Sequence, residues 1–371
     1  TETQCFRYDD QRRLIEAWTP TGSCTAAPGS ALLGGPAPYW HTFTYDAAGN
    51  RQQEVIHTSA GDTTRSYRYG ATDGSQADTL RAVTQTGTAG AKQESYTYDT
   101  AGNTLTRTRE GRSQDLAWDV EGRLESVTED SQKTSYVYNA EGERLIRRDP
   151  TGTTLYLNGT EIRLAKAGGA VTGTRYYTFD ERTVAARTSR GVSFFTSDQQ
   201  GTAQVQVDAT SMAVTRRRLT PFGQERGTAA QGWVGERGFV NGTRDDSTGL
   251  IHLGAREYDP LIGRFISVDP LFDTEDPLSW NGYAYADSNP VTFNDADGQN
   301  CHSVESCAAM YPAKKKTTKK TKPKTTKKAS RISTINNINR FVTAVVSSLV
   351  SAVKKAVELF RELRKDAQLA N

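Results

Sequence analysis

This sequence repeats a short phrase, Tyr98-Asp99-Thr100-Ala101-Gly102-Asn103-Thr104, along its first half. The other copies begin with an aromatic residue and keep glycine at the fifth position; they are Tyr45-Asp46-Ala47-Ala48-Gly49-Asn50-Arg51, Trp118-Asp119-Val120-Glu121-Gly122-Arg123-Leu124 and Tyr138-Asn139-Ala140-Glu141-Gly142-Glu143-Arg144. The copies that start at Tyr98, Trp118 and Tyr138 are 20 residues apart. Tyr8-Asp9 opens a degenerate copy without the glycine. A fixed period of this size indicates a repeat architecture, in which one supersecondary unit stacks on the next.

Each copy of the phrase predicts a β-hairpin turn. An alternating stretch, Ser95-Tyr96-Thr97-Tyr98, leads into the turn, and Thr104-Leu105-Thr106-Arg107 leads out of it. The aspartate side chain can bond the turn backbone, and glycine adopts the positive φ that closes a hairpin with a bulge. The aromatic residue before the turn is expected to pack on the neighbouring unit. We therefore predict a mainly β fold with positive φ at four hairpin tips, namely Gly49, Gly102, Gly122 and Gly142.

The repeats close in a longer signature, which reads Gly249-Leu250-Ile251-His252-Leu253-Gly254-Ala255-Arg256-Glu257-Tyr258-Asp259-Pro260 and then Leu261-Ile262-Gly263-Arg264-Phe265-Ile266-Ser267-Val268-Asp269-Pro270. Three shorter motifs follow it: Tyr283-Ala284-Tyr285, Asn289-Pro290-Val291 and Asp295-Ala296-Asp297-Gly298. Over roughly residues 1–300 the sequence resembles the Rhs or YD-repeat family of bacterial polymorphic toxins and toxin-complex C components. The resemblance implies repeated β-hairpins that wind into a hollow, shell-like cocoon.

Charge divides the chain near residue 300. From Cys301 to the C-terminus, 12 Lys and 4 Arg stand against 3 Glu and 1 Asp, which gives +12. The whole chain carries +3, so the preceding 300 residues carry −9. An acidic body joined to a basic tail indicates two parts with different roles. We predict four segments: hairpin repeats over 1–240, a repeat-associated core that forms a plug over 241–300, a Lys-rich linker over 301–331 and an amphipathic helix over 332–371.

The basic tail has two zones. Residues 313–330 contain nine Lys and cannot bury enough apolar surface to fold alone. Farther on, apolar residues recur at intervals of three and four, as on one face of a short α-helix; they include Ile335, Ile338, Val342, Val345 and Leu349. Three roles stay open for this tail: packing on a partner or on the shell wall, lying in a membrane surface, and binding nucleic acid through the Lys run. The resembling family carries its variable effector here, but 71 residues with one His do not resemble a complete enzyme.

The resemblance also implies a self-cleaving centre in the plug. In the related C components, an Arg and two Asp form an aspartyl-protease-like centre, and they correspond to Arg256, Asp259 and Asp269. Two carboxylates held close together share one proton, so that one acts as base on water while the other acts as acid. A neighbouring Arg favours the ionised partner and orients it. The alternative is a purely structural plug in which Arg264 joins these three residues in salt bridges.

The bond to be cut is expected at the end of the plug. The family's element Asp-Pro-x-Gly-Leu corresponds to Asp295-Ala296-Asp297-Gly298-Gln299, in which Ala replaces Pro and Gln replaces Leu. We place the scissile bond between Gln299 and Asn300. A cut there separates the acidic body from the basic tail, which is the division that the charges identify.

Four cysteines fall into two local pairs, Cys5 with Cys24 and Cys301 with Cys307. Each pair is compatible with a disulfide in a secreted protein and equally with two free thiols. We expect no metal and no cofactor, because the His residues are scattered and no Gly-rich phosphate loop joins a strand to a helix. No apolar run reaches the roughly 18 residues that a membrane-spanning helix needs.

These observations predict the C-terminal part of a bacterial toxin, secreted or at the cell surface, that acts in competition between bacteria. It encloses and delivers a C-terminal effector, and any enzymatic activity is a single-turnover cut of its own chain. The chain opens with Thr1 and no apolar signal segment precedes the repeats, so we expect a piece of a longer protein. The expected partners are the missing N-terminal shell portion or a B-type shell component; an immunity protein stays an open expectation. The alternative is a non-enzymatic surface or adhesion protein that binds glycans or a protein through exposed Tyr and Trp.

Overall fold

The computed structural model describes residues 2–157, 159–180, 182–271 and 280–299. Within these residues, nineteen strands form one antiparallel sheet and four short strands form a second sheet. All of them belong to a single compact unit. The predicted mainly β fold is confirmed. The predicted linker, tail helix and Cys301–Cys307 pair lie outside the described residues.

The large sheet is a continuous meander in which each strand pairs with the next along the chain. Its first seven strands are β1 (Cys5–Tyr8), β2 (Leu14–Trp18), β3 (Trp40–Tyr45), β4 (Arg51–Thr58), β5 (Gly61–Tyr69), β6 (Leu80–Gly87) and β7 (Lys92–Tyr98). The middle strands are β8 (Thr104–Arg109), β9 (Arg112–Trp118), β10 (Leu124–Glu129), β11 (Gln132–Tyr138), β12 (Arg144–Asp149) and β13 (Gly152–Leu157). The last six are β14 (Thr160–Ala165), β15 (Val171–Phe179), β16 (Arg182–Thr188), β17 (Gly191–Ser197), β18 (Ala203–Asp208) and β19 (Val214–Arg216).

The repeated phrase forms the hairpin tips. At the β7–β8 tip, the Asp99 Oδ1 atom accepts a hydrogen bond from the Asn103 N–H at 2.8 Å, and the Asp99 carbonyl accepts one from the Gly102 N–H at 3.2 Å. The strand register shifts at Tyr98, as a bulge requires. The four tip glycines take φ between 76° and 90°, so the predicted tip conformation is confirmed.

The aromatic residue before three of the four tips links its hairpin to the preceding one. The Trp118 indole N–H donates to the Thr104 carbonyl at 2.7 Å, and the Tyr138 hydroxyl donates to the Leu124 carbonyl at 2.8 Å. Tyr45 makes the same bond to Leu14 at 2.9 Å. The repeat therefore specifies both the turn and the stacking of successive hairpins, as the sequence predicted.

The small sheet packs against one face of the large sheet, which we call the inner face. Its strands are β20 (Thr243–Asp245), β21 (Leu250–Leu253), β22 (Arg256–Asp259) and β23 (Arg264–Phe265), in that order. Leu250 and Ile266 pack on inner-face residues that include Leu116, Leu124 and Val127. A second apolar cluster, on the side of the small sheet that carries Tyr258, contains Phe239, Leu253, Tyr258, Phe265 and Tyr285.

A disulfide joins Cys5 of β1 to Cys24, with the two Cα atoms 5.5 Å apart. Of the two states left open by the sequence, the structure shows the bonded one for this pair. In the part of the chain that the structure describes, no helix is long and apolar enough to cross a membrane.

Candidate functional site: the β22 carboxylates and the segment after them

Strand β22 sends its side chains alternately to two sides of the small sheet. Glu257 and Asp259 point to the inner face of the large sheet, where they meet arginines of β12 and β8. Arg256 and Tyr258 point to the other side; the guanidinium carbon of Arg256 lies 3.6 Å from the centroid of the Phe265 ring. The alternation therefore separates two charged clusters.

The first cluster is centred on Asp259, whose side chain is fully buried. Arg107 Nη1 donates to Asp259 Oδ2 at 2.7 Å, and Arg109 Nη1 donates to the same oxygen at 3.0 Å. Burial alone would raise the pKa of Asp259, but the charges of Arg109 and Arg107 outweigh it, so the pKa is lowered. The two arginines therefore favour the charged form of Asp259, which ties the small sheet to β8.

Glu257 makes a second buried tie on the same side. Arg144 Nη2 lies 2.6 Å from Glu257 Oε1, and His252 Nδ1 lies 2.8 Å from the same oxygen. Burial alone would raise the pKa of Glu257. The Arg144 charge and the His252 contact outweigh this effect and lower the pKa to about 2. Burial also lowers the pKa of His252.

The second cluster is centred on Arg256, which is 3% exposed. Its Nη2 atom lies 2.6 Å from Asp269 Oδ2 and 2.8 Å from Asp295 Oδ2. Its Nε–H donates to the Gly298 carbonyl at 2.6 Å. One guanidinium group therefore holds two carboxylates and the backbone just before the predicted scissile bond.

The two carboxylates of this cluster have different surroundings. Burial raises the pKa of Asp269, and the Arg256 charge only partly offsets this effect. The Leu271 N–H donates to Asp269 Oδ1 at 2.8 Å. Asp295 Oδ1 instead accepts a hydrogen bond from the Gln299 N–H at 2.8 Å, which folds residues 295–299 into a turn.

This turn lies directly on the β21–β22 connection. The Ala255 N–H donates to the Asp297 carbonyl at 2.8 Å. Gly298 has φ +68°, and a Cβ atom placed on it would lie 2.3 Å from the Leu253 carbonyl oxygen. Glycine is required here because both the backbone conformation and the close approach exclude a side chain.

The prediction that Asp259 and Asp269 meet at Arg256 is therefore wrong for Asp259. Arg256 and Asp259 are three residues apart on one strand, so their side chains lie on opposite sides of the sheet. The structure brings together Arg256 and Asp269, and it places Gln299 beside them. Asn300 lies outside the described residues. The predicted salt bridge between Arg256 and Asp269 is present, whereas Arg264 donates to the Asp78 carbonyl.

Two contributors to these clusters were not predicted. Asp295 was assigned only to the cleaved element, although it binds Arg256 directly. Arg107 was quoted only as the end of an outgoing strand, yet it is fully buried and is the first partner of Asp259. Its inward position follows from strand alternation, but its partner lies 152 residues away in the sequence.

A cavity of about 1250 Å³ lies beside the second cluster. Its lining includes Arg256, Asp297 and Gln299 on one side and Arg144 and Glu161 on the other. Within the described residues, no group of three or more His, Cys, Asp or Glu side chains has the geometry of a metal site.

The fold and the sequence both match a known family. The Teneurin YD-shell family model matches residues 38–291, which include the four repeated phrases and the whole closing signature. This chain belongs to the Teneurin YD-shell family. The match agrees with the Rhs/YD-repeat resemblance that the sequence motifs gave.

Relatives of this YD shell include toxin proteins. Toxin subunit YenC1 of Yersinia entomophaga is 26% identical over 296 residues, which are 70% of this chain and 29% of the relative. The tRNA nuclease WapA of Bacillus subtilis (strain 168) is 29% identical over 267 residues, which are 69% of this chain and 11% of the relative. The chain thus spans only 11–29% of the length of these relatives.

Solved toxin-complex structures have the same fold. The crystal structure of TcdB2-TccC3-Cdc42 aligns with a TM-score of 0.54 at 17% identity, over 81% of this chain and 17% of that one. The Photorhabdus luminescens Tc holotoxin pore gives a TM-score of 0.54 at 18% identity, over 80% of this chain and 17% of that one. At these identities the comparison supports the YD-shell fold.

Proposed function

We propose that this YD shell is a component of a secreted bacterial toxin and that it releases its C-terminal segment by cutting its own chain after Gln299. The family membership and the toxin-related relatives support the shell role. Self-cleavage is supported by one observation above the others: Arg256 binds Asp269, Asp295 and the Gly298 carbonyl at once. Such an arrangement holds the candidate acid–base groups next to the candidate bond.

The proposed reaction is hydrolysis of the Gln299–Asn300 peptide bond. Asp295, charge-paired with Arg256, accepts a proton from water while the water oxygen attacks the Gln299 carbonyl carbon. Asp269, whose raised pKa favours the protonated form, donates its proton to the Asn300 nitrogen as the C–N bond breaks. Arg256 orients both carboxylates and fixes Gly298. The products are a carboxylate at Gln299 and an amine at Asn300.

Asp259 has a structural role in this proposal. Its low pKa and its two arginine partners keep it ionised, and no proton transfer is assigned to it. It anchors the small sheet to β8 on the side opposite to Arg256 and Asp269. This assignment makes Asp259 the matched control for Asp269.

The other proposed roles concern the whole protein. A longer chain or a B-type component completes the shell, the released segment begins near Asn300, and an immunity protein protects the producing cell. The basic tail, at +12, is the part proposed to contact an anionic membrane surface or nucleic acid after release.

The experiment compares Asp269→Asn with Asp259→Asn in the full chain. Gel electrophoresis follows the fragments with time after synthesis, and circular dichroism confirms that each variant is folded. We expect the wild type and Asp259→Asn to yield a large acidic fragment and a small basic one, while Asp269→Asn stays whole. A folded wild type that is never cut, or an Asp269→Asn chain that is cut at the wild-type rate, overturns the proposed centre and favours the adhesion alternative.

A further inference from the structure

The outer face of the large sheet carries a row of apolar side chains across its last five strands. Register pairs join Tyr177 to Ala185, Ala185 to Phe194, Phe194 to Val207 and Val207 to Val214. Tyr177, Phe194 and Val214 are 45%, 53% and 49% exposed. Ala185 is buried and Val207 is half-buried, so the row exposes three of its five side chains. Exposed apolar side chains that cluster on one face are typical of an interaction site.

The row ends at a free sheet edge. Strand β19 pairs only with β18 among the described strands. The Arg217 N–H and the Ala213 carbonyl are bonded to β18, and bonded positions alternate along an antiparallel strand. The backbone groups of Val214 and Arg216 therefore point away from β18. No other described residue bonds them there.

Arginines flank the apolar row on both sides. Arg175 and Arg187 face each other across β15 and β16 on one side, and Arg216 opposes Val205 on the other. None of these three forms an ion pair with a carboxylate of the described residues. The outer face of these five strands is therefore apolar in the middle, with Arg175 and Arg187 at its β15–β16 end and Arg216 at the β19 edge.

We propose that this edge binds an extended, acidic segment of a partner protein as an added antiparallel strand. The backbone groups of Val214 and Arg216 supply the new hydrogen bonds, as in other cases of β-strand addition. An apolar side chain of the segment covers Val214 and extends the row, and a carboxylate pairs with Arg216. A second copy of this chain fits less well, because pairing two β19 edges would bring like-charged arginines together.

The test uses a fluorescein-labelled probe peptide, Thr-Val-Thr-Glu-Thr-Val-Thr-Glu, and fluorescence anisotropy with the full chain. We expect saturable binding that falls about tenfold when Lys replaces Glu in the probe, since one opposite-charge cross-strand pair then becomes a like-charge pair. Val214→Pro removes an outward N–H that β18 does not use, and edge strands tolerate proline at such positions. Both Val214→Pro and Arg216→Glu should weaken binding of the Glu probe.

Two matched variants serve as controls. Val120 is fully exposed at a hairpin tip, so Val120→Pro makes the same chemical change away from the edge. Arg68→Glu reverses an exposed charge on β5. Both controls should bind the probe like the wild type. If Val214→Pro lowers the melting temperature, its weaker binding is not informative, and the test then rests on Arg216→Glu.

Four results overturn the proposal. The first is no binding of the Glu probe, and the second is binding that survives both edge variants. The third is self-association of the wild type, measured by sedimentation, that Val214→Pro abolishes, because the occupant would then be a second copy. The fourth is binding to phosphatidylserine-containing vesicles that Arg216→Glu abolishes although the basic tail is unchanged, which would make this surface a membrane contact.

Discussion

Glu2 and Arg226 are 224 residues apart in the sequence and form a two-pronged ion pair. Arg226 Nη1 donates to Glu2 Oε1 and Nη2 donates to Glu2 Oε2, both at 2.8 Å. The pair connects the residues before β1 to the segment that follows β19. Their side chains are only 15% and 6% exposed. Because such bidentate pairs are geometrically specific, this contact fixes where the chain after the large sheet meets its first strand.

Glu2→Gln should lower the free energy of unfolding by about 1–3 kcal/mol, because it leaves the buried Arg226 with a neutral partner. Urea denaturation measures the loss. Glu121→Gln removes an exposed carboxylate of the β9–β10 tip and should leave the midpoint unchanged. Equal midpoints for wild type and Glu2→Gln would show that the pair contributes nothing to stability.

Asp259→Asn and Asp269→Asn should differ strongly in stability. Asp259 is the fully buried partner of Arg107, so its neutralisation leaves a buried cation and should cost about 3–5 kcal/mol. Asp269 has a raised pKa, and Arg256 still has Asp295 as an ion-pair partner when Asp269 is neutralised. Asp269→Asn should therefore lower the free energy of unfolding by only about 1 kcal/mol. The measurement is urea denaturation at neutral pH. Similar losses for the two variants would contradict the separation into two clusters.

Glu161 should make the protein less stable at alkaline pH. Burial raises its pKa from 4.5 to about 7, and the nearby Glu236 charge adds to this effect. The folded state therefore favours the protonated carboxyl. Its stability contribution is complete below about pH 4.5, where the unfolded chain also binds the proton, and is lost as the pH rises through about 7.

Glu161→Gln should consequently be more stable than the wild type at pH 8, by on the order of 2 kcal/mol, and similar to it below pH 4.5. Urea denaturation at both pH values measures the gap. Glu125→Gln, at an exposed position of β10, should show no such gap. A Glu161→Gln advantage that is the same at both pH values would mean that the carboxyl does not titrate in the folded state.

The hairpins could be predicted because their determinants are local. Asp99, Gly102 and Asn103 make the whole β7–β8 turn within five residues, and the same spacing recurs at each tip. The aromatic contacts, such as Trp118 to Thr104, also join neighbouring units. A periodic sequence determines these features without reference to the rest of the chain.

The site was predicted only in part because its contacts are distant in sequence. The motif placed Arg256, Asp259 and Asp269 in one block, but it carries no information on which side of β22 each side chain occupies. Strand alternation would have separated Arg256 from Asp259. The pairing of Asp259 with Arg107, 152 residues earlier, depends on how the small sheet meets the large one.

Self-cleavage is tested most directly by the intact mass of freshly purified full-length protein. Self-cleavage should give two masses, one for a body that ends at Gln299 and one for a tail that begins at Asn300, which together exceed the uncut mass by one water. The yield should not depend on protein concentration, because the reaction is intramolecular. A single mass for the whole chain, or a cut at another bond, would rule out self-cleavage after Gln299.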